Sequence, residues 1–146
     1  MKPLALIDRA FFLKKIPLFA TLDLDLLLPI ADKLGIAAYQ ANEHIFGIND
    51  EASRMYFIVK GTVEIRDESK LLAILHSEDF FGDESLFNEK PRAYRALSTT
   101  ETLLLSISRT NLLTIISECP TVAIGFLQAY TQTTPFRSRL SQGKES

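Results

Sequence analysis

The stretch from Phe80 to Ala96 reads F-F-G-D-E-S-L-F-N-E-K-P-R-A-Y-R-A. It holds the side chains best suited to chemistry. Gly82 follows two aromatics, Asp83 sits beside it, and Arg92 stands in a Pro-Arg-Ala step. A glycine lets the backbone come close to a ligand where any side chain would obstruct. Backbone N–H groups at a helix start, joined by one guanidinium, suit a single negative charge such as a phosphodiester. A Gly-Asp followed by a Pro-Arg is common by itself, so the surrounding elements must decide its meaning.

Other candidate chemistry is thin. His44 and His76 have no Cys or carboxylate at metal-ligand spacing, so no metal site is expected. No G-x-S-x-G, Walker A or H-E-x-x-H pattern occurs. Asp23 and Asp25 read as helix-start charges without a catalytic partner. A metal-dependent barrel enzyme would need a cluster of ligands that two isolated histidines cannot supply. No catalytic residue is assigned, and the chain is not expected to be an enzyme.

Composition narrows the class further. With 146 residues the chain is long enough for one domain with a real core. Apolar residues make up 47% and charged residues 23%, a globular balance. The net charge of −2 offers no general attraction to nucleic acid or to acidic membranes. A single cysteine, Cys119, excludes an internal disulfide. The opening M-K-P-L-A-L-I-D-R-A is interrupted by Asp8 and Arg9 too early for a signal peptide. No stretch approaches the roughly 18 apolar residues of a membrane helix. The expectation is a cytoplasmic protein without membrane insertion.

The elements that must position the cassette follow from periodicity. Leu4, Ile7, Ala10 and Phe11 predict an amphipathic helix over 3–15, entered through Pro3 and broken at Pro17. Asp23 is a plausible N-cap for a second helix ending near Gly35, the expected C-terminal cap. Pro29 inside it predicts a kink or a late start. Short β-type runs then follow at 36–39, 44–46, 55–59, 62–66, 71–75, 94–98 and 103–107. Lys60-Gly61 between two of them reads as a hairpin turn. Seven or eight close-spaced strands favour a barrel or sandwich. Ser108 can cap a helix whose Leu112, Leu113, Ile115, Ile116 and Cys119 share a face, and Pro120 opens another carrying Val122, Phe126, Leu127 and Tyr130. Residues 1–132 read as the domain and 133–146 as a short mobile tail.

Three segments together resemble the cyclic nucleotide-binding domain family. The family's phosphate-binding cassette joins F-G-E-x-A-L to P-R-A-A-T/S-V, and Phe80 to Ala96 is similar to it. N-D-E-A-S-R-M-Y-F-I-V-K-G-T-V-E-I resembles G-D-x-A-D-x-M-Y-x-I-x-x-G-x-V, with Asn49 in place of the first Gly. Asn is tolerable there because it too visits the left-handed region. F-L-K-K-I-P-L-F-A-T-L is similar to the family's N-terminal helix and the turn after it. The likeness runs from about Leu13 to Tyr130.

That resemblance implies a mainly β fold with flanking helices: an eight-stranded double-stranded β-helix, or jelly roll, with N-terminal helices and two C-terminal helices. It implies cAMP or cGMP as ligand, with no further cofactor. The implied site is Phe81, Gly82, Asp83, Glu84, Ser85, Leu86, Pro91, Arg92, Ala93 and Tyr94. Arg92 would face the phosphate and Asp83 the ribose hydroxyl. The family usually has Glu at the latter place, and Asp is shorter by roughly 1.5 Å. The ribose contact then needs a backbone shift or a bridging water, or else Asp83 simply caps the cassette helix. Tyr94 and Arg95 depart from the family's small or β-branched residues, so Tyr94 either narrows the pocket or stacks on the ligand.

Two function classes follow from this resemblance. One is a cyclic nucleotide sensor or regulatory domain whose output needs a protein partner or larger assembly. The other is a degenerate member acting as a ligand-independent interaction module. DNA binding is not expected, because only about 16 residues follow Tyr130, too few for a helix-turn-helix.

Overall fold

Residues 4–132 are described in the computed structural model. Helix α1 spans Leu6–Lys14 and α2 Leu24–Asp32. Strands β1 (Gly35–Tyr39), β2 (His44–Phe46), β3 (Arg54–Lys60), β4 (Val63–Asp67), β5 (Lys70–Leu75) and β6 (Phe80–Phe81) follow. The short helix α3 is Glu84–Asn88. Then come β7 (Arg95–Ser98), β8 (Thr102–Ser108), α4 (Arg109–Glu118) and α5 (Pro120–Thr131). The strands form two four-stranded antiparallel sheets, in the orders β1-β8-β3-β6 and β2-β7-β4-β5. This is the mainly β architecture with flanking helices expected from the sequence.

The two-residue period of β3 explains why the domain has two cores. Met55 and Phe57 point one way, into a cluster with Leu105, Ile107 and the helices. Ile58 points the other way, between the sheets, with Phe46, Val63, Ile65, Phe81 and Leu104. Strand β8 is buried from Thr102 to Ile107 because it lies between β1 and β3 with both faces covered. Its buried stretch is mostly apolar, Leu103–Leu105 and Ile107, with Thr102 and Ser106 the buried polar members.

Several local expectations need correction. Lys60-Gly61 does not close a hairpin: β3 pairs with β6 and β8, whereas β4 pairs with β5 and β7. The turn is instead a corner from one sheet to the other. Gly61 takes φ +100, and a Cβ there would collide with Thr102 Oγ1 and the Glu101 carbonyl. Gly35 does not cap α2; Lys33 does, and Gly35 opens β1. Its missing side chain leaves room for Ser106 Oγ, which would lie 2.9 Å from a Cβ.

Helix α2 starts directly after Asp23 and runs through Pro29. Asp23 holds the N-cap position without a side-chain hydrogen bond. Pro29 and Asp25 are exposed, so water can serve the carbonyl that loses its intrahelical donor. In α1 the buried residues are Ala10, Phe12 and Leu13, while Ile7 and Phe11 face outward. The inner stripe wins because it continues into Ile16, Leu18 and Phe19.

Ser108 caps α4 as expected, its Oγ accepting from Asn111 N at 3.2 Å. Leu112 and Ile115 are buried beneath it, but Leu113 is exposed. Pro120 is the first residue of α5, which turns by 110° from α4. No single helix among the described residues is long and apolar enough to cross a membrane. The tail 133–146 and Pro3 lie outside the described residues.

Candidate functional site

The cassette is built at the end of β6. Gly82 takes φ +83, turning the chain so that Asp83 becomes the N-cap of α3. Across from it, the loop before β3 fixes Arg92. Arg92 N donates to Asp50 O at 2.9 Å, and Asn49 N donates to Arg92 O at 2.8 Å. Asn49 sits at φ 70, in the left-handed region where its side chain is tolerated.

Arg92 is only 3% exposed. Its Nη1 donates to Gly82 O at 2.6 Å and its Nη2 to Arg54 O at 2.5 Å. The guanidinium carbon lies 4.1 Å from the Phe46 ring centroid, a cation–π stack. Burial pulls the Arg92 pKa below its ordinary value, opposed by Tyr94, Tyr56, Glu84 and Asp83 nearby. The charge is compensated here by carbonyl dipoles and a π face.

Tyr94 points inward and fills the space beside Arg92; it is 2% exposed. Its hydroxyl accepts the Gly82 N–H at 2.7 Å and donates to Glu84 Oε1 at 2.8 Å. Its ring packs 5.7 Å from Phe46. Burial, then Glu84 and Asp83, push the phenol well above its ordinary value, so it keeps its proton. Tyr94 therefore points inward and narrows the space beside Arg92.

Asp83 is fully buried and makes no cap hydrogen bond with its side chain. Its Oδ2 instead accepts from the Tyr130 hydroxyl at 2.5 Å, reaching from α5 across 47 residues of sequence. Ser85 is buried with Oγ 3.4 Å from Pro91 O, which holds the two halves of the cassette together. Phe81 and Leu86 are core residues, whereas Pro91 and Ala93 are exposed.

The sequence-predicted residues are therefore gathered in one place, with several polar groups bonded within the domain, while Arg92 Nε is buried with no hydrogen-bond partner among the described residues. Phe46, Arg54 and Tyr130 also build the site and were not read as members of it. Phe46 signalled only a strand, Arg54 contributes a backbone carbonyl that any residue has, and Tyr130 sat at core spacing from Phe126. No group of three or more His, Cys, Asp or Glu side chains suited to a metal occurs among the described residues.

Comparison with known proteins agrees with this architecture. The family model for the cyclic nucleotide-binding domain matches residues 36–119, and the chain belongs to that family. A cAMP-dependent protein kinase regulatory subunit from Dictyostelium discoideum is 29% identical over 106 residues, which are 67% of this chain and 32% of that protein. A CRP-like cAMP-activated global transcriptional regulator from Mycobacterium tuberculosis is 30% identical over 84 residues, 54% of this chain and 38% of the regulator. The chain thus spans well under half the length of these two relatives.

Among solved structures, the Thermus thermophilus catabolite activator protein superposes with TM-score 0.72 at 26% identity, covering 77% of this chain and 55% of that one. The regulatory subunit of a cAMP-independent protein kinase A from Trypanosoma brucei superposes with TM-score 0.81 at 20% identity. That match covers 96% of this chain and 51% of the subunit, and it establishes a shared fold.

Proposed function

We propose that this domain is a regulatory module of its family that acts through protein contact, with its cassette occupied by its own side chains. One observation carries the reading: the Tyr94 hydroxyl stands on the Gly82 N–H while Arg92 is engaged by two backbone carbonyls. A phosphate arriving at Arg92 gains a charge-assisted contact worth about 1.5–3 kcal/mol. It must first break two hydrogen bonds of similar character and expel a buried aromatic ring, itself worth about 1.5–3 kcal/mol. The exchange favours the occupied cassette. In this reading the module catalyses nothing, works in the cytoplasm within a larger assembly, and binds neither DNA nor membrane.

A thermal-shift scan of the full chain with cAMP and with cGMP tests it. No shift is expected up to millimolar nucleotide. A saturating ligand at about 100 times its dissociation constant would add roughly 2.7 kcal/mol, and a shift of that size would establish the second reading instead. That second reading is a cAMP or cGMP sensor. It is favoured by the grouping of Gly82, Asp83, Ser85 and Arg92 around one turn at the family's spacing. Under the occupied-cassette reading, Tyr94→Ala is the variant expected to acquire nucleotide binding.

A further inference from the structure

Helix α5 is thinly anchored for its length. Only Val122 and Phe126 are buried in it, while Ile124 and Leu127 face outward, the latter 63% exposed. Gly125 lets the helix approach the Leu18 backbone, where a Cβ would lie 3.2 Å from Leu18 Cα. Beyond that point the last turn is held from the cassette side. Phe87 of α3 meets Phe126 edge-on at 5.0 Å and Tyr130 at 6.4 Å. The Tyr130 hydroxyl then reaches Asp83 Oδ2 at 2.5 Å. A phenol donating to a buried carboxylate is a charge-assisted bond, stronger than a neutral one.

We propose that Tyr130 is an internal ligand of the cassette. Its hydroxyl takes the acceptor that the family resemblance assigns to a ribose hydroxyl, and so holds the end of α5 against α3. The inference rests on the occupied-cassette reading but uses a different residue and a different acceptor. It adds a consequence for regulation. The position of α5 is set by a bond within the chain, and a signal that moves α5 must break the Tyr130–Asp83 contact.

Hydrogen exchange on the full chain without nucleotide tests this in the wild type, Tyr130→Phe and Asp83→Asn. Tyr130→Phe keeps the ring and its aromatic contacts but lacks the donor. Amides in 126–131 and 82–87 are expected to exchange faster by roughly ten- to a hundredfold, the factor one charge-assisted bond represents. Asp83→Asn keeps a neutral acceptor and is expected to fall between. Unchanged exchange at both segments in Tyr130→Phe overturns the proposal. Acceleration spread evenly over the sheets also overturns it, because that reports global destabilisation and not release of one helix. Nucleotide binding by the wild type would sink the occupied-cassette reading while leaving this nucleotide-free comparison to be judged by itself.

Discussion

Replacing Tyr94 by phenylalanine removes one oxygen from the centre of the cassette and leaves the ring beside Phe46 in place. Two bonds go with it. The buried Gly82 N–H loses its acceptor, a desolvation loss of about 1–3 kcal/mol. The half-buried Glu84 carboxylate loses a donor, for which water is a partial substitute. The expected destabilisation is about 2–4 kcal/mol, read from urea denaturation with an unchanged m-value. A second arm uses pH. The folded-state pKa of Tyr94 is raised above the ordinary value of 10.0, so the folded protein keeps a proton that the unfolded chain releases. That contribution is fully present below pH 10 and is lost as pH rises from there toward the folded pKa, by up to about 1.4 kcal/mol per pH unit. Tyr94→Phe lacks it, so the two stability curves should converge above pH 10. A loss under about 0.5 kcal/mol, with curves running parallel in alkali, would refute the account of Tyr94 as the group that satisfies the cassette.

Arg92→Ala should destabilise the domain by about 2–5 kcal/mol in the same urea assay, because the carbonyls of Gly82 and Arg54 lose their donor inside the protein. An exposed clamp would give a change near zero. Gly82→Ala should cost about 1–3 kcal/mol, since φ +83 strains an L-residue and the new Cβ would stand 2.9 Å from Arg92 Nη1. Calorimetry showing an unchanged melting temperature for that variant would mean the turn relaxes freely.

Much of the fold was legible because it depends on local patterns that few alternatives satisfy. Ser108 followed by an apolar stripe became a capped helix, and Asn49 in a glycine's place took the left-handed conformation. The runs around His44, Met55 and Leu71 became strands at nearly the expected limits. What failed was partner choice. Lys60-Gly61 has hairpin chemistry, yet whether two adjacent strands pair or part at a corner is settled by distant β8 and β7. Strand β6 was missed since two residues carry no period, and Phe80-Phe81 looked like cassette alone. The outward face of α1 matched helical spacing as well as the inward one, and only packing against later residues separates them.

The site shows the same division more sharply. Sequence can say that a guanidinium, a carboxylate and a flexible turn will meet, but not which of their bonds the chain itself will satisfy. A buried charge requires compensation wherever it comes from. A ligand phosphate is one source for Arg92; the carbonyls of Gly82 and Arg54 with the Phe46 face are another, and they are covalently present at all times. The same holds for Asp83, which Tyr130 reaches from the far end of the domain. An intramolecular partner acts at a high effective concentration, against which a free ligand must supply additional contacts. In the proposed reading, the residue that tips the balance is Tyr94. A small side chain there would leave the Gly82 N–H open to a ligand, whereas the phenol closes it with a bond at each end. On that proposal, a motif keeps its anion-binding residue types while its bonds are turned to holding the domain's own parts together.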